Sequence, residues 1–123
     1  QQKIHATAKA IHVMNQSLLV NLKEDSDHYP YLDVGAPFDT VWVRTQDALK
    51  HTNYDAVSTD KKSGYIFIAP FGTDDVAKNT SLLSVTKVSL DESEVTLFNT
   101  KGNESRAPWA QNLLQKIEKN LVK

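Results

Sequence analysis

The sequence contains no cysteine among its 123 residues. Disulfide bonds, thiolate nucleophiles and cysteine-ligated zinc are therefore excluded, although the absence of cysteine does not distinguish the periplasm from the cytoplasm. The chain also lacks an excess of either charge, because 14 basic residues are balanced by 15 acidic ones. Proteins that bind nucleic acid usually present a basic field to the phosphates, so this composition argues against nucleic acid as a partner.

Long apolar segments are missing as well. No run approaches the roughly 20 apolar residues that a membrane-spanning helix needs. The chain opens with QQKIHATAK and no initiator methionine, which predicts that a leader or tether has been removed from the gene product. Hydrophobic residues make up 40% of the sequence. A chain of this length and composition predicts one domain, residues 17–123, preceded by an N-terminal arm or tether at residues 1–16.

Residue patterns that carry catalysis or metal binding are also lacking. The four histidines lie in separate predicted elements and form no ligand motif, so no metal site is predicted. Neighbouring carboxylates occur at Asp74 and Asp75 and in the segment 91–94, but both sets lie in polar loops that are typical of turns. The glycines are isolated and form no phosphate-binding loop. The sequence therefore predicts no enzymatic activity and no cofactor.

Six segments carry the short apolar or alternating patterns that are typical of strands. They are residues 18–22, 29–34, 54–60, 64–71, 82–90 and 95–100. The apolar phase changes between Val85 and Val88, which predicts a bulge near Thr86 or Lys87. The segment DESE, residues 91–94, is predicted to be a turn.

Two further segments have helical periodicity, and each begins beside a proline, at Pro37 and Pro108. The first is predicted to end near Asn53. Its apolar stripe is Phe38, Val41, Trp42, Thr45 and Leu49, opposite Arg44, Gln46, Asp47 and Lys50. The stripe of the second is Ala110, Leu113, Leu114, Ile117 and Leu121. Two strands, a helix, four strands and a final helix predict an antiparallel α+β fold with the sheet packed against both helices.

Four aromatic residues are candidates for more than core packing. Trp42 and Trp109 lie near the helix starts, where large aromatic side chains usually pack inward. Trp109 is one step off its stripe, which allows a second interpretation in which it lies at the rim of a groove between the last helix and the sheet. Tyr65 and Phe67 belong to a strand that is apolar on both faces. The binding hypothesis is that partner segments dock near Trp109, Tyr65 and Phe67.

The succession LDV, FDTVW, ALKHTNYDAV, DKKSGYIFI, VTKVSLDESEVTLF and APWAQNLLQKIEKNL covers about residues 29–121. It resembles the repeated domain of the BamC (NlpB/DapX) lipoproteins. This resemblance implies a helix-grip-like domain, tethered by lipid to the outer membrane on its periplasmic side and belonging to an assembly that handles outer-membrane proteins. It implies no enzymatic role. It also implies that protein partners dock in a groove beside the C-terminal helix. The chain differs from that family in having one copy of the domain and no cysteine to carry a lipid.

A carrier of a small apolar ligand is the alternative function. Helix-grip folds also enclose apolar ligands, and the strand at residues 64–71 can line such a cavity. A carrier requires an internal pocket, whereas an interaction module requires a filled core with an exposed apolar patch or edge. The direction of Tyr65, Phe67 and Phe71 distinguishes the two.

Overall fold

The computed structural model describes residues 16–122, so the predicted N-terminal arm, apart from Gln16, lies outside the described residues. The elements of this part follow one another in the predicted order. They are β1 (Val20–Glu24), β2 (Pro30–Val34), α1 (Phe38–Leu49), β3 (Tyr54–Asp60), β4 (Tyr65–Pro70), β5 (Ser81–Ser89), β6 (Glu92–Phe98) and α2 (Pro108–Leu121). The predicted α+β class is confirmed, with one six-stranded antiparallel sheet and two helices.

The strands are arranged in the order β1-β2-β6-β5-β4-β3, so the long hairpin of β5 and β6 forms the centre of the sheet. Ser89 pairs with Glu92, which leaves a turn of two residues. The predicted turn at residues 91–94 is therefore too long, because residues 92–94 already belong to β6 and pair with the neighbouring strands. The pairing of β5 shifts between Lys87 and Ser89, next to the predicted bulge.

Both helices pack on the same face of the sheet. Side chains alternate along each strand, so Ile66 and Ile68 of β4 point toward the helices and are fully buried. Equivalent positions on the neighbouring strands, together with the apolar stripes of the helices, form one core. Its buried members are Leu18, Val20, Leu32, Val34, Ala36, Val41, Trp42, Ala48, Leu49, Ile66, Ile68, Leu83, Val85, Val95, Leu97, Ala110, Leu113, Leu114, Ile117 and Leu121.

Trp42 belongs to this core and is 6% exposed. Its ring stacks on Phe38, one helical turn earlier, with the ring centroids 5.8 Å apart. A ring so covered by protein cannot act as a surface platform for a ligand. The prediction that Trp42 is a core anchor is confirmed.

Arg44 lies inside the protein, although its sequence pattern placed it on the polar side of α1. It is 3% exposed, and its guanidinium donates hydrogen bonds to the backbone carbonyl of Leu121 at 3.1 Å and to that of Gln16. The last carbonyls of a helix have no partner within the helix, so a buried cation there satisfies groups that would otherwise be costly to bury. Burial lowers the pKa of Arg44. The outward assignment of this residue was wrong.

The same contact region joins the two ends of the described chain. The backbone N–H of Leu18 donates to the carbonyl of Leu121 at 3.2 Å, and the hydroxyl of Ser17 donates to the carbonyl of Val122 at 2.6 Å. The end of α2 is thereby fixed beside the start of β1. Neither described helix has the length and apolar character needed to cross a membrane.

Candidate functional site

Trp109 lies in the first turn of α2, which Pro108 begins without losing a helical hydrogen bond. Its ring is half-buried and stacks on Tyr54, the first residue of β3, with centroids 6.4 Å apart and planes 26° apart. Burial raises the pKa of Tyr54, which keeps the phenol neutral. The two rings form an aromatic wall where the helix layer meets the sheet. Tyr54 was not predicted from the sequence, because its contact with Trp109 depends on tertiary packing.

Two open clefts adjoin at this wall, and together they are called here the Trp109 groove. The larger has a volume of about 460 Å³, and the smaller of about 220 Å³. The larger is lined by Tyr54, Pro70, Asn79, Ser81, Asn99, Thr100, Lys101 and Trp109. The smaller is lined by Asn53, Tyr54, Trp109, Asn112, Leu113 and Lys116. Apolar ring surface bordered by amides and ammonium groups suits an apolar side chain carried on a hydrogen-bonding backbone.

Tyr65 and Phe67 lie on the other face of the sheet. They alternate with Ile66 and Ile68, which pack under the helices, so both aromatic side chains point away from the helix layer. Tyr65 is 38% exposed, and its ring meets that of Phe67 edge to face at 6.2 Å. The structure thus brings Tyr65 and Phe67 together but separates them from Trp109. A single groove containing all three residues is not formed.

The sheet face that carries Tyr65 and Phe67 is called here the open face. Phe67 pairs across the strands with Leu82, and Leu82 with Phe98, so three half-buried apolar side chains form a row over β4, β5 and β6. Leu82 and Phe98 were not among the residues predicted from the sequence. Strand alternation gives the face of each residue, but the row becomes visible only once the register of the strands is known.

The opposite end of the open face is polar. The ammonium of Lys23 lies 2.9 Å from a carboxylate oxygen of Asp33. This hydrogen bond, together with the smaller influence of nearby Glu92, holds the pKa of Asp33 below its ordinary value. The proximity of Asp33 in turn raises the pKa of Glu92. The second carboxylate oxygen of Asp33 is buried and has no hydrogen-bond partner among the described residues. This end of the open face is therefore charged, in contrast to the row at Phe67.

The carrier hypothesis placed Tyr65, Phe67 and Phe71 around an internal cavity. Tyr65 and Phe67 point away from the space between helices and sheet, and Phe71 is exposed beyond the end of β4. Ile66 and Ile68 occupy the inner side of the strand and are fully buried by packing. Within residues 16–122, no three histidine or carboxylate side chains come close enough to hold a metal ion. Comparison of the sequence with protein-family models and with curated proteins gives no match.

Proposed function

We propose that this protein is a non-catalytic interaction module of the bacterial cell envelope in which segments of partner proteins dock in the Trp109 groove beside the C-terminal helix. One observation carries the proposal: Trp109 is half-buried against Tyr54, at the junction of two open clefts. Tryptophan is enriched among the residues that dominate binding energy, because a stiff, flat ring gives a large contact area at low entropic cost.

The location and attachment in this proposal follow from the resemblance of the sequence to the BamC lipoproteins. A periplasmic domain held to the outer membrane by a lipid tether would meet outer-membrane proteins during their assembly. Labelling the full gene product with a radioactive fatty acid, followed by membrane fractionation, tests the attachment. A protein that carries no radioactive label would contradict the lipoprotein part of the proposal.

Substitution of Trp109 by alanine tests the docking site. We expect Trp109→Ala to weaken binding by about 2 kcal/mol, which is roughly thirtyfold in Kd. The domain should remain folded, because the residue is only half-buried and an aromatic pair contributes about 0.5 to 1.5 kcal/mol beyond its burial. Partners would first be captured from envelope extract with the parent domain and then purified. Their affinity for each variant would be measured by calorimetry.

Phe67→Ala is the matched control, since it removes a half-buried aromatic ring from the open face instead of the groove. It should leave the affinity of the purified partner unchanged. Loss of binding in Phe67→Ala together with normal binding in Trp109→Ala would assign docking to the open face and contradict the proposal. Equal affinity in the parent and both variants would remove both surfaces from consideration.

A further inference from the structure

A third surface feature lies at the end of the sheet near the start of α1. It is an open cleft of about 630 Å³, called here the lysine cleft. Its walls come from the first residues of α1, the turn between β3 and β4, and the hairpin of β5 and β6. The lining residues are Pro37, Phe38, Asp39, Lys61, Lys62, Ser63, Gly64, Val85, Thr86, Lys87 and Leu90. It shares no lining residue with the Trp109 groove.

The charge of the lining is positive, with three lysines against the single carboxylate of Asp39. Lys61 lies 3.2 Å from Asp39, but both side chains are mostly exposed, and such pairs contribute little to stability and exchange partners readily. Lys62 and Lys87 have no carboxylate within ion-pair distance among the described residues. An incoming carboxylate therefore finds two ammonium groups that are not already paired.

The cleft also presents apolar surface. Phe38 is half-buried in it, and Val85 forms its buried base. Leu90 stands in the hairpin turn beside the cleft, and its side chain is 77% exposed. Apolar surface bordered by lysines matches an apolar side chain that is flanked by carboxylates.

We infer that the lysine cleft binds an acidic, extended segment of a partner protein, which places one apolar side chain against Phe38 and Leu90 and its carboxylates near Lys62 and Lys87. The open shape favours a protein segment over a small molecule, since small-molecule sites bury most of the ligand surface. Charge complementarity of this kind increases the association rate and selects among partners.

A fluorescent peptide with one central leucine and aspartates on both sides is the probe, and its anisotropy is titrated with the 123-residue chain. Reversing two charges in the Lys62→Glu/Lys87→Glu variant should weaken binding about tenfold or more. Leu90→Ser should weaken binding about threefold at unchanged stability, because this side chain is exposed. Replacing the aspartates of the peptide by asparagine should reduce binding to the parent as strongly as the double reversal.

The matched control is Lys101→Glu/Lys116→Glu, which reverses two lysines of the Trp109 groove. It should bind the acidic peptide as the parent does. Equal weakening by both double variants, undiminished binding of the asparagine peptide, or no binding of the acidic peptide to the parent would each overturn the inference. Self-association of the protein that is lost only in the Lys62→Glu/Lys87→Glu variant would also overturn the inference, because a second copy of the chain would then occupy the lysine cleft. None of these results depends on whether Trp109→Ala binds its own partner.

Discussion

The two tryptophans occupy similar places in the sequence but different environments in the protein. Each lies near the start of a helix that follows a proline, and each lies on or beside an apolar stripe. Trp42 lies within the core and stacks on Phe38 of its own helix, whereas Trp109 meets Tyr54 at the start of an edge strand. Helical periodicity predicts which side of a helix faces inward, but the tertiary packing around each ring decides how far it is covered.

Substitution of the buried tryptophan provides the residue-scale prediction. Trp42→Ala should lower the free energy of unfolding by about 3 to 5 kcal/mol, the usual cost of deleting a large aromatic side chain from a core. Chemical denaturation followed by circular dichroism measures the change. Val43→Ala, at the next and exposed position of α1, is the control and should stay within about 0.5 kcal/mol of the parent. A Trp42→Ala protein as stable as Val43→Ala would show that the ring does not hold the core together.

Arg44 shows where pattern reasoning fails for a single residue. A charged side chain within an amphipathic helix is normally assigned to solvent, and nothing in its neighbours suggested otherwise. Its hydrogen-bond partner, the carbonyl of Leu121, is 77 residues away in the sequence. The sequence predicts that the last carbonyls of a helix need hydrogen-bond donors from outside the helix. Which residue supplies such a donor depends on the packing of the two helices.

At the scale of elements, the order and type of the strands and helices were predictable because their periodicities are clear and proline marks both helix starts. The helix at Pro108 and the strand at Tyr54 begin as expected. What the pattern left open was the partner of each strand. The separation of Trp109 from Tyr65 and Phe67 follows from the face of the sheet that the helices cover, and this required the tertiary structure.

The turn between β3 and β4 depends on Gly64. Its φ angle of +78° lies in the region that side chains with a Cβ avoid, and a Cβ there would be 2.2 Å from the carbonyl oxygen of Val85. The backbone approaches so closely because the N–H of Val85 donates to the carbonyl of Gly64 at 2.7 Å. Gly64→Ala should therefore lower the free energy of unfolding in two ways. The left-handed conformation of a residue with a Cβ costs about 1 to 2 kcal/mol, and displacing β5 costs about the same again.

Gly72→Ala separates these two effects. Gly72 has a φ angle of +77°, but apart from Gly72 and its two chain neighbours no described residue has an atom within 4 Å of the position that its Cβ would take. This variant should show only the conformational cost of about 1 to 2 kcal/mol in thermal or urea denaturation. Equal losses of stability in the two variants would mean that β5 moves away from the turn without resistance.

At the scale of the whole molecule, the loop before α2 is fastened to the turn between β1 and β2. The guanidinium of Arg106 lies 4.5 Å from the centre of the Tyr29 ring, and its Nε donates to the carbonyl of Asp27 at 3.0 Å. Glu104 is held half-buried in the same loop. Burial, with smaller contributions from Asp25 and Asp27, raises the pKa of Glu104 above its ordinary value.

This raised pKa gives a pH dependence with a definite sign. The folded state binds the proton of Glu104 more tightly than the unfolded state, so ionisation of this carboxyl destabilises the fold above its folded pKa. Glu104→Gln should therefore be more stable than the parent at neutral pH, and the difference should disappear below the ordinary pKa of 4.5. Urea denaturation over a range of pH measures it, with Asp74→Asn in an exposed loop as the control. A Glu104→Gln protein less stable than the parent at neutral pH would reveal a favourable contact of the carboxylate.

The hydrogen bonds that join Ser17 and Leu18 to the end of α2 also determine where the described chain begins and ends relative to the Trp109 groove. Residues 17 and 122 lie side by side, while Trp109 lies in the first turn of the same helix, about 20 Å away at 1.5 Å of rise per residue. The described chain therefore begins and ends at one corner of the domain. The Trp109 groove lies at the opposite end of α2, so a segment bound beside Trp109 is separated from both residues 17 and 122 by the length of the helix.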